Sequence, residues 1–270
     1  MTEKKQDKQK QKKLRLDRLL LERGLVESRE RGQAIIIAGQ VLVNSQKVEK
    51  SGSLVLADAE IRILGEQMPY VSRGGLKLEK ALAEFTIDVK EKTALDVGAS
   101  TGGFTDCLLQ HGAKRVYAVD VGYGQMAWKV RQDARVVVIE RTNIREIDLA
   151  VIPEKADIVV IDVSFISMEK VIPSVLRFLN PEAGIVALIK PQFEVGKGQV
   201  GKGGIVRNEA ARAAAVEKVR TAFQNAGLEV NGIILSPITG QDGNVEYLIH
   251  AIYRNIRNNY PKITTSIFLK

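Results

Sequence analysis

Across 270 residues there is one cysteine, Cys107, and there are two histidines, His111 and His250. A lone cysteine forms no internal disulfide, and one Cys with two His falls short of a structural zinc site. No apolar run approaches the ~18 residues that span a bilayer; Ile35-Ile36-Ile37-Ala38 is typical of the longest. The first residues are rich in Lys and Gln with no apolar core after them, which does not read as a secretory signal. A soluble cytoplasmic protein is the expectation. What remains is ordinary: 45% hydrophobic and 27% charged residues exclude disorder for the bulk of the chain. The length suggests one large domain and one small.

Charge is unevenly spread. The net +8 divides into +6 over residues 1–80 and +2 over the rest, with +4 inside residues 1–13. A basic end on a nearly neutral body suggests a polyanionic partner, most simply nucleic acid, or else a solvated tail.

Residues 1–13 are polar and of low complexity, and are expected to be a disordered tail. From Leu14 the spacing of Leu16, Leu19 and Leu20 predicts a helix stopped by Gly24. Ser28 is placed to cap a second helix ending at Gly39. Val41 and Val43, an Asn44-Ser45 turn, Leu54–Leu56 and Ile61–Ile63 then predict a small sheet, completing an α+β domain over 14–64. After a linker at 65–72, strand-like runs at 93–97, 115–119, 135–139, 157–161 and 184–189 alternate with helical stretches at 73–85, 103–111, 125–131, 169–178 and 208–225. Alternation predicts a doubly wound, parallel α/β sheet. The Pro237–Asn244 connection is too short for a crossover helix, so strands 228–236 and 245–252 should be antiparallel and bring the sheet to seven strands. This second domain is expected over 73–256, with a tail at 257–270.

Asp96-Val97-Gly98-Ala99-Ser100-Thr101-Gly102-Gly103-Phe104-Thr105 reads as strand end, glycine-rich turn and helix start. Gly98, Ser100 and Gly103 occupy the glycine positions of a G-x-G-x-x-G fingerprint, and Asp120 follows at the end of the next strand, where a carboxylate meets ribose hydroxyls. A nicotinamide dinucleotide and S-adenosylmethionine both fit. Ser100 at the middle position and the antiparallel final strands favour the methyl donor. Gly98, Ser100, Thr101, Gly103 and Phe104 are then expected at its methionine end, Asp120 on the ribose, and Asn143 and Ile144 near the adenine. Gly196–Gly203 nearly spells a phosphate loop, but Gly203 stands where the Mg²⁺-binding hydroxyl belongs, so a nucleotide triphosphatase is excluded. A basic flap over the active site or a plain loop remain as readings.

Four charged residues lie where elements of the sheet end or begin: Lys77, Asp162, Lys190 and Glu246. Ligands in such sheets bind outside the carboxyl ends of the strands. The chain resembles, over nearly its whole length, the TlyA family of ribosomal RNA 2′-O-methyltransferases, members of which are often labelled haemolysins. The resemblance rests on Arg15-Leu16-Asp17-Arg18, Ser28-Arg29 and Gly39–Asn44, then on Ser72–Leu78, Asp96–Thr105, Asp162–Ser167, Lys190–Glu194 and Gly243–Glu246. It implies an S4 RNA-binding domain joined to an FtsJ-like, Rossmann-like catalytic domain that uses S-adenosylmethionine. It also implies a Lys-Asp-Lys-Glu tetrad at Lys77, Asp162, Lys190 and Glu246, and a cytidine 2′-hydroxyl of 16S or 23S rRNA as the acceptor. The family's linker carries an Arg and a Trp; here it reads Gln67-Met68-Pro69-Tyr70.

A ribose 2′-hydroxyl must shed its proton as it attacks a methyl carbon. Two lysines in one site, oriented by two carboxylates, suit that task. Lys190 is read as the base and Lys77 as its electrostatic partner. Arg15 and Arg18, three apart on the expected first helix, with Arg29 and Arg73, are read as RNA contacts. The alternative for the first three is surface pairing with Asp17, Glu22 or Glu30. Ribosomal RNA or subunits are the expected partners, without membrane, metal or an obligate protein partner. Competing functions are a membrane-lytic protein and an RNA-binding module without catalysis.

Overall fold

The computed structural model describes residues 13–26, 28–64, 68–240 and 242–254. Residues 1–12 of the tail expected at 1–13 and the tail expected at 257–270 lie outside them, as does Gln67 of the linker. Contacts divide the chain into two units, Met1–Gln67 and Met68–Lys270.

In the first unit, β1 (Lys13–Arg15) leads into α1 (Leu16–Glu22), and α2 (Arg29–Ile37) follows. Ser28 caps α2 by accepting a hydrogen bond from the Arg31 N–H at 3.1 Å, one of the donors a helix start leaves orphaned. Gly24 and Gly39, with φ of +66° and +68°, turn the chain out of the two helices. β2 (Val41–Val43) and β3 (Gln46–Lys47) form a hairpin, followed by β4 (Leu54–Leu56) and β5 (Ile61–Ile63). The hairpin turn needs two positive φ angles, and Asn44 and Ser45 supply 49° and 66°. Leu16, Leu20, Ile35, Ile36, Val41 and Val43 close one core.

Two expectations are corrected here. The single small sheet is in fact two, β3-β2-β5 and β1-β4. Lys13–Arg15 belong to a strand, neither to the tail nor to the first helix. Their partner β4 lies roughly forty positions on, so a three-residue strand leaves no local signal.

The second unit runs α3 (Gly74–Glu84), β6 (Thr93–Val97), α4 (Gly103–Gln110), β7 (Arg115–Val119), α5 (Trp128–Arg131), β8 (Val136–Ile139), β9 (Ala156–Ile161), α6 (Ile172–Val175), β10 (Leu179–Ile189), α7 (Pro191–Glu194), α8 (Glu209–Asn225), β11 (Leu228–Leu235) and β12 (Tyr247–Tyr253). Its seven strands are ordered β11-β12-β10-β9-β6-β7-β8. β6 to β10 run parallel, and β12 is antiparallel to both neighbours. Alternate side chains enter opposite cores: Leu95, Val97, Val159 and Ile161 on one face, Ala94, Ile158 and Val160 on the other. Each buried aliphatic side chain contributes ~1.5–3 kcal/mol, which is why these strands are apolar throughout. Strand order reverses between β6 and β9, so their carboxyl ends diverge into a crevice.

The stretch expected as one helix over 169–178 is broken into short turns around α6. Pro173 is the cause, since it has no N–H to donate to the Glu169 carbonyl. The helix expected over 125–131 shrinks to the four residues of α5. Among the described residues no helix is long and apolar enough to cross a membrane.

Candidate active site

The glycine-rich turn leaves β6 with φ of +87° at Gly98, +47° at Ser100 and +91° at Gly102. A Cβ at Gly98 would overlap the carbonyl oxygen of Asp162, so only glycine lets β6 and β9 come this close. Ser100 donates its N–H to Asp120 Oδ2 at 2.7 Å, and Gly122 donates to Oδ1 at 2.6 Å. Asp120 therefore braces the turn from β7. The residue before α4, Gly102, has no side chain with which to cap the helix, which begins at Gly103.

Two cavities adjoin here and share Gly98, Asp162, Ser164 and Phe165. The first, of about 370 Å³, is lined by Ser100, Thr101, Gly103 and Phe104 and by all four of Lys77, Asp162, Lys190 and Glu246. Arg73 lines it too. The second, of about 400 Å³, is lined by Asp120, Asn143 and Ile144, with Val163, Ile166 and Val171 as an apolar wall. Phe104 is also a core residue, packed in the same cluster as Leu78 and Cys107. No residue of 196–204 lines either cavity among the described residues. That loop returns to Asn244, which donates to the Gly204 carbonyl at 2.9 Å and accepts from the Val206 N–H at 3.0 Å.

The four charges form two ion pairs. Lys77, on α3, holds Glu246 at 2.5 Å with both side chains buried. Glu246 stands one residue before β12 and does not open it. Lys190, at the end of β10, lies 2.6 Å from Asp162 Oδ1 and donates to Ser164 Oγ at 2.9 Å. Lys77 and Glu246 are buried and Lys190 and Asp162 half-buried; a buried charge is tolerated only when paired, and each of the four has a partner.

Three neighbours were not singled out from sequence. Asp96, at the end of β6, is fully buried and accepts a hydrogen bond from Thr105 Oγ1 at 2.6 Å. Burial pushes its carboxyl up to about 7; the Thr105 hydroxyl opposes this, and the Asp162 and Asp120 carboxylates add to it. Phe165 is 90% exposed and holds a φ of +63°, its ring 4.9 Å from that of Phe193. Glu194 is buried on α7. The strand-end position of Asp96 was a signal; a left-handed Phe165 had none.

The arginines of the first unit correct an expectation. Arg15 ends β1 and does not share a helical face with Arg18. Arg15 donates to Asp17 through Nε at 3.0 Å and Nη2 at 2.8 Å, and Arg29 Nε donates to the same carboxylate at 3.1 Å. Arg18 pairs with Glu22 at 2.7 Å, both exposed.

Residues 70–253 match the model of the FtsJ-like methyltransferases and residues 14–61 that of the S4 domain. YqxC of Bacillus subtilis, assigned provisionally to the rRNA methyltransferases, is 50% identical over 240 residues, covering 88% of this chain and 85% of that protein. The 16S/23S rRNA (cytidine-2′-O)-methyltransferase TlyA of Mycobacterium tuberculosis is 44% identical over 239 residues, 88% and 89% of the two chains. A solved structure from Streptococcus thermophilus, provisionally assigned as a hemolysin, superimposes with a TM-score of 0.70 at 42% identity, covering 91% of this chain and 90% of that one.

Proposed function

Because this chain belongs to the FtsJ-like methyltransferases, and among them to the S4-bearing TlyA family, we infer that it methylates a ribose 2′-hydroxyl of ribosomal RNA, a cytidine as in the family's named members. The observation that carries this reading is the convergence of two lysine–carboxylate pairs on a cavity continuous with the glycine-rich turn.

S-adenosylmethionine, when bound, supplies an electrophilic methyl group. The residues fit it. The apolar second cavity, with Asp120 at its edge, suits an adenosine; each Asp120 oxygen keeps a lone pair for a ribose hydroxyl. The start of α4, with glycine at its N-cap, suits a carboxylate through the helix dipole. Gly98, Ser100, Thr101 and Gly103 stay small so that backbone can reach the ligand.

In this reading Lys190 first gives up its own ammonium proton to solvent and then, as the free amine, takes the proton of the attacking 2′-hydroxyl. Asp162 and Ser164 fix the position of its Nζ, so the base is aimed before the RNA arrives. Lys77, steadied by Glu246, faces the same cavity and stabilises negative charge developing on the ribose oxygen. The exposed Phe165 ring beside the cavity offers a face on which an unstacked base can lie. Arg73 lines the same cavity and suits the neighbouring phosphate.

The test combines the purified chain with labelled S-adenosylmethionine and unmethylated rRNA, followed by mapping of 2′-O-methyl positions. Lys190→Ala should lower transfer by about 10²–10⁴-fold, with donor affinity in calorimetry unchanged. Near-normal turnover by that variant would remove Lys190 as the base.

A further inference from the structure

We propose that Glu194 is a positioning residue for methyl transfer: its buried carboxylate ties the loop after β9 to the turn after β10 and thereby holds Asp162 and Ser164 against Lys190. This rests on the reading of Lys190 given above.

β9 and β10 are adjacent parallel strands, and the segments that leave them, 162–168 and 190–195, carry much of the cavity wall. They touch at three levels. Nearest the strands, Lys190 meets Asp162 and Ser164. In the middle, the rings of Phe165 and Phe193 lean together with 48° between their planes. Farthest out, Ser167 Oγ donates to Glu194 Oε2 at 2.6 Å and the Met168 N–H donates to Oε1 at 2.7 Å. Lys218 of α8 closes the arrangement, donating to the Glu194 carbonyl at 3.1 Å and standing 3.4 Å from Oε2 and 3.2 Å from Glu169.

The middle level cannot hold the loop alone. A non-glycine residue at positive φ costs ~1–3 kcal/mol and persists only where its surroundings over-determine it. Phe165 pays that cost with its ring almost wholly in solvent, so its own packing does not compensate. The restraint comes from its neighbours: Val163, Ile166 and Met168 pack on the core of the sheet, and hydrogen bonds hold the two flanks. On one side the Asp162 N–H donates to the Val97 carbonyl at 2.9 Å. On the other the only side chain gripping the loop backbone, among the described residues, is Glu194 through Met168. Its own placement is firm, because α7 is a single turn begun by Pro191 and backed by Lys218. Releasing the far flank lets the loop relax, and Ser164 leaves Lys190. Misplacement of a catalytic group by about 1 Å can cost on the order of 10²-fold.

The experiment compares the full chain with Glu194→Ala and Glu194→Gln, the second keeping shape and the acceptor for Met168. Hydrogen exchange over 162–168 should quicken by about tenfold in Glu194→Ala, with β9 and β10 unaltered. Transfer at saturating donor and rRNA should fall about 10- to 100-fold in Glu194→Ala and less in Glu194→Gln, while donor affinity changes much less. Because Glu194 acts through the Ser164–Lys190 contact, its loss and that of Ser164→Ala should not multiply in the double variant. Unchanged exchange in the loop, exchange raised equally across β9 and β10, or losses that multiply would each overturn the proposal. If the unaltered protein transfers no methyl to rRNA, the reading of function fails, and the exchange measurement still decides whether Glu194 holds the loop.

Discussion

Asp96 and Asp17 are both fully buried, and their surroundings push them in opposite directions. Asp17 accepts from Arg15, Arg29, Gln33 and the Arg18 N–H, and the Arg15 guanidinium leads in holding its carboxyl well below the ordinary range. Its contribution to stability is present above the ordinary value of 3.8 and is lost as pH falls through the depressed one. Asp96 Oδ1 has no partner among the described residues, and burial lifts this group from 3.8 to about 7. The native state then binds the proton more tightly than the unfolded chain, so Asp96 lowers stability progressively as pH rises from about 4 to about 7. Linkage puts the whole effect on the order of 4 kcal/mol. Asp96→Asn, which keeps the shape and carries no charge, should remove that slope. Urea denaturation of both proteins between pH 4 and 8 checks it; parallel curves would mean that Asp96 stays ionised.

At the scale of elements, the donor turn stores strain for a purpose. Gly98 needs its left-handed φ and the missing Cβ together, because Asp162 backbone stands where a side chain would begin. Gly98→Ala should cost ~1–3 kcal/mol of stability and weaken S-adenosylmethionine binding in calorimetry by at least about tenfold, as the β6 and β9 ends are forced apart. Ser100 adopts φ +47° without glycine's freedom, held by its N–H on Asp120. This turn was legible in sequence because its determinants are contiguous. The 162–168 loop was not, since its restraints come from distant parts of the chain: core packing of Val163 and Ile166, and a Glu194 carboxylate from a different strand end. The helix expected over 169–178 failed for another reason: its apolar spacing was right, but Pro173 outweighed it.

For the whole molecule, RNA binding and chemistry rest on separate cores, one around Leu16, Leu20 and Ile36, the other on the two faces of the seven-stranded sheet. In the proposed function the first unit grips phosphates through arginines that also serve its own structure, and this separates two variants. Among the described residues Arg18 pairs only with exposed Glu22, worth ~0–1 kcal/mol. Arg18→Ala should weaken rRNA binding and reduce the salt slope by roughly one unit with melting unchanged. Arg15 is the bidentate partner of a buried carboxylate. Arg15→Ala should weaken RNA binding and also lower the melting temperature. Donor affinity should be the same in both. Anisotropy titrations of an rRNA fragment over a salt series, beside calorimetry with the donor, read out each part; an unaltered slope in both variants would leave these arginines as ion pairs only.

The sequence by itself determined what lies within a few residues of its own cause. Ser28 as a cap, Gly24 and Gly39 as stops, the Asn44-Ser45 turn, the strand–helix alternation and the Gly98–Gly103 turn all follow from spacing and backbone preference, which act over one turn of helix or one pleat of strand. Tertiary structure alone decided partnership. Lys77 could have faced either carboxylate; it faces Glu246, 169 residues away, while Lys190 takes Asp162. β1 found β4, Arg15 and Arg29 converged on Asp17, and Glu194 reached Ser167. Those choices depend on which strands are neighbours and in what register. Register is set by burying apolar residues on both faces of the sheet at once, a condition met only when the whole chain is folded.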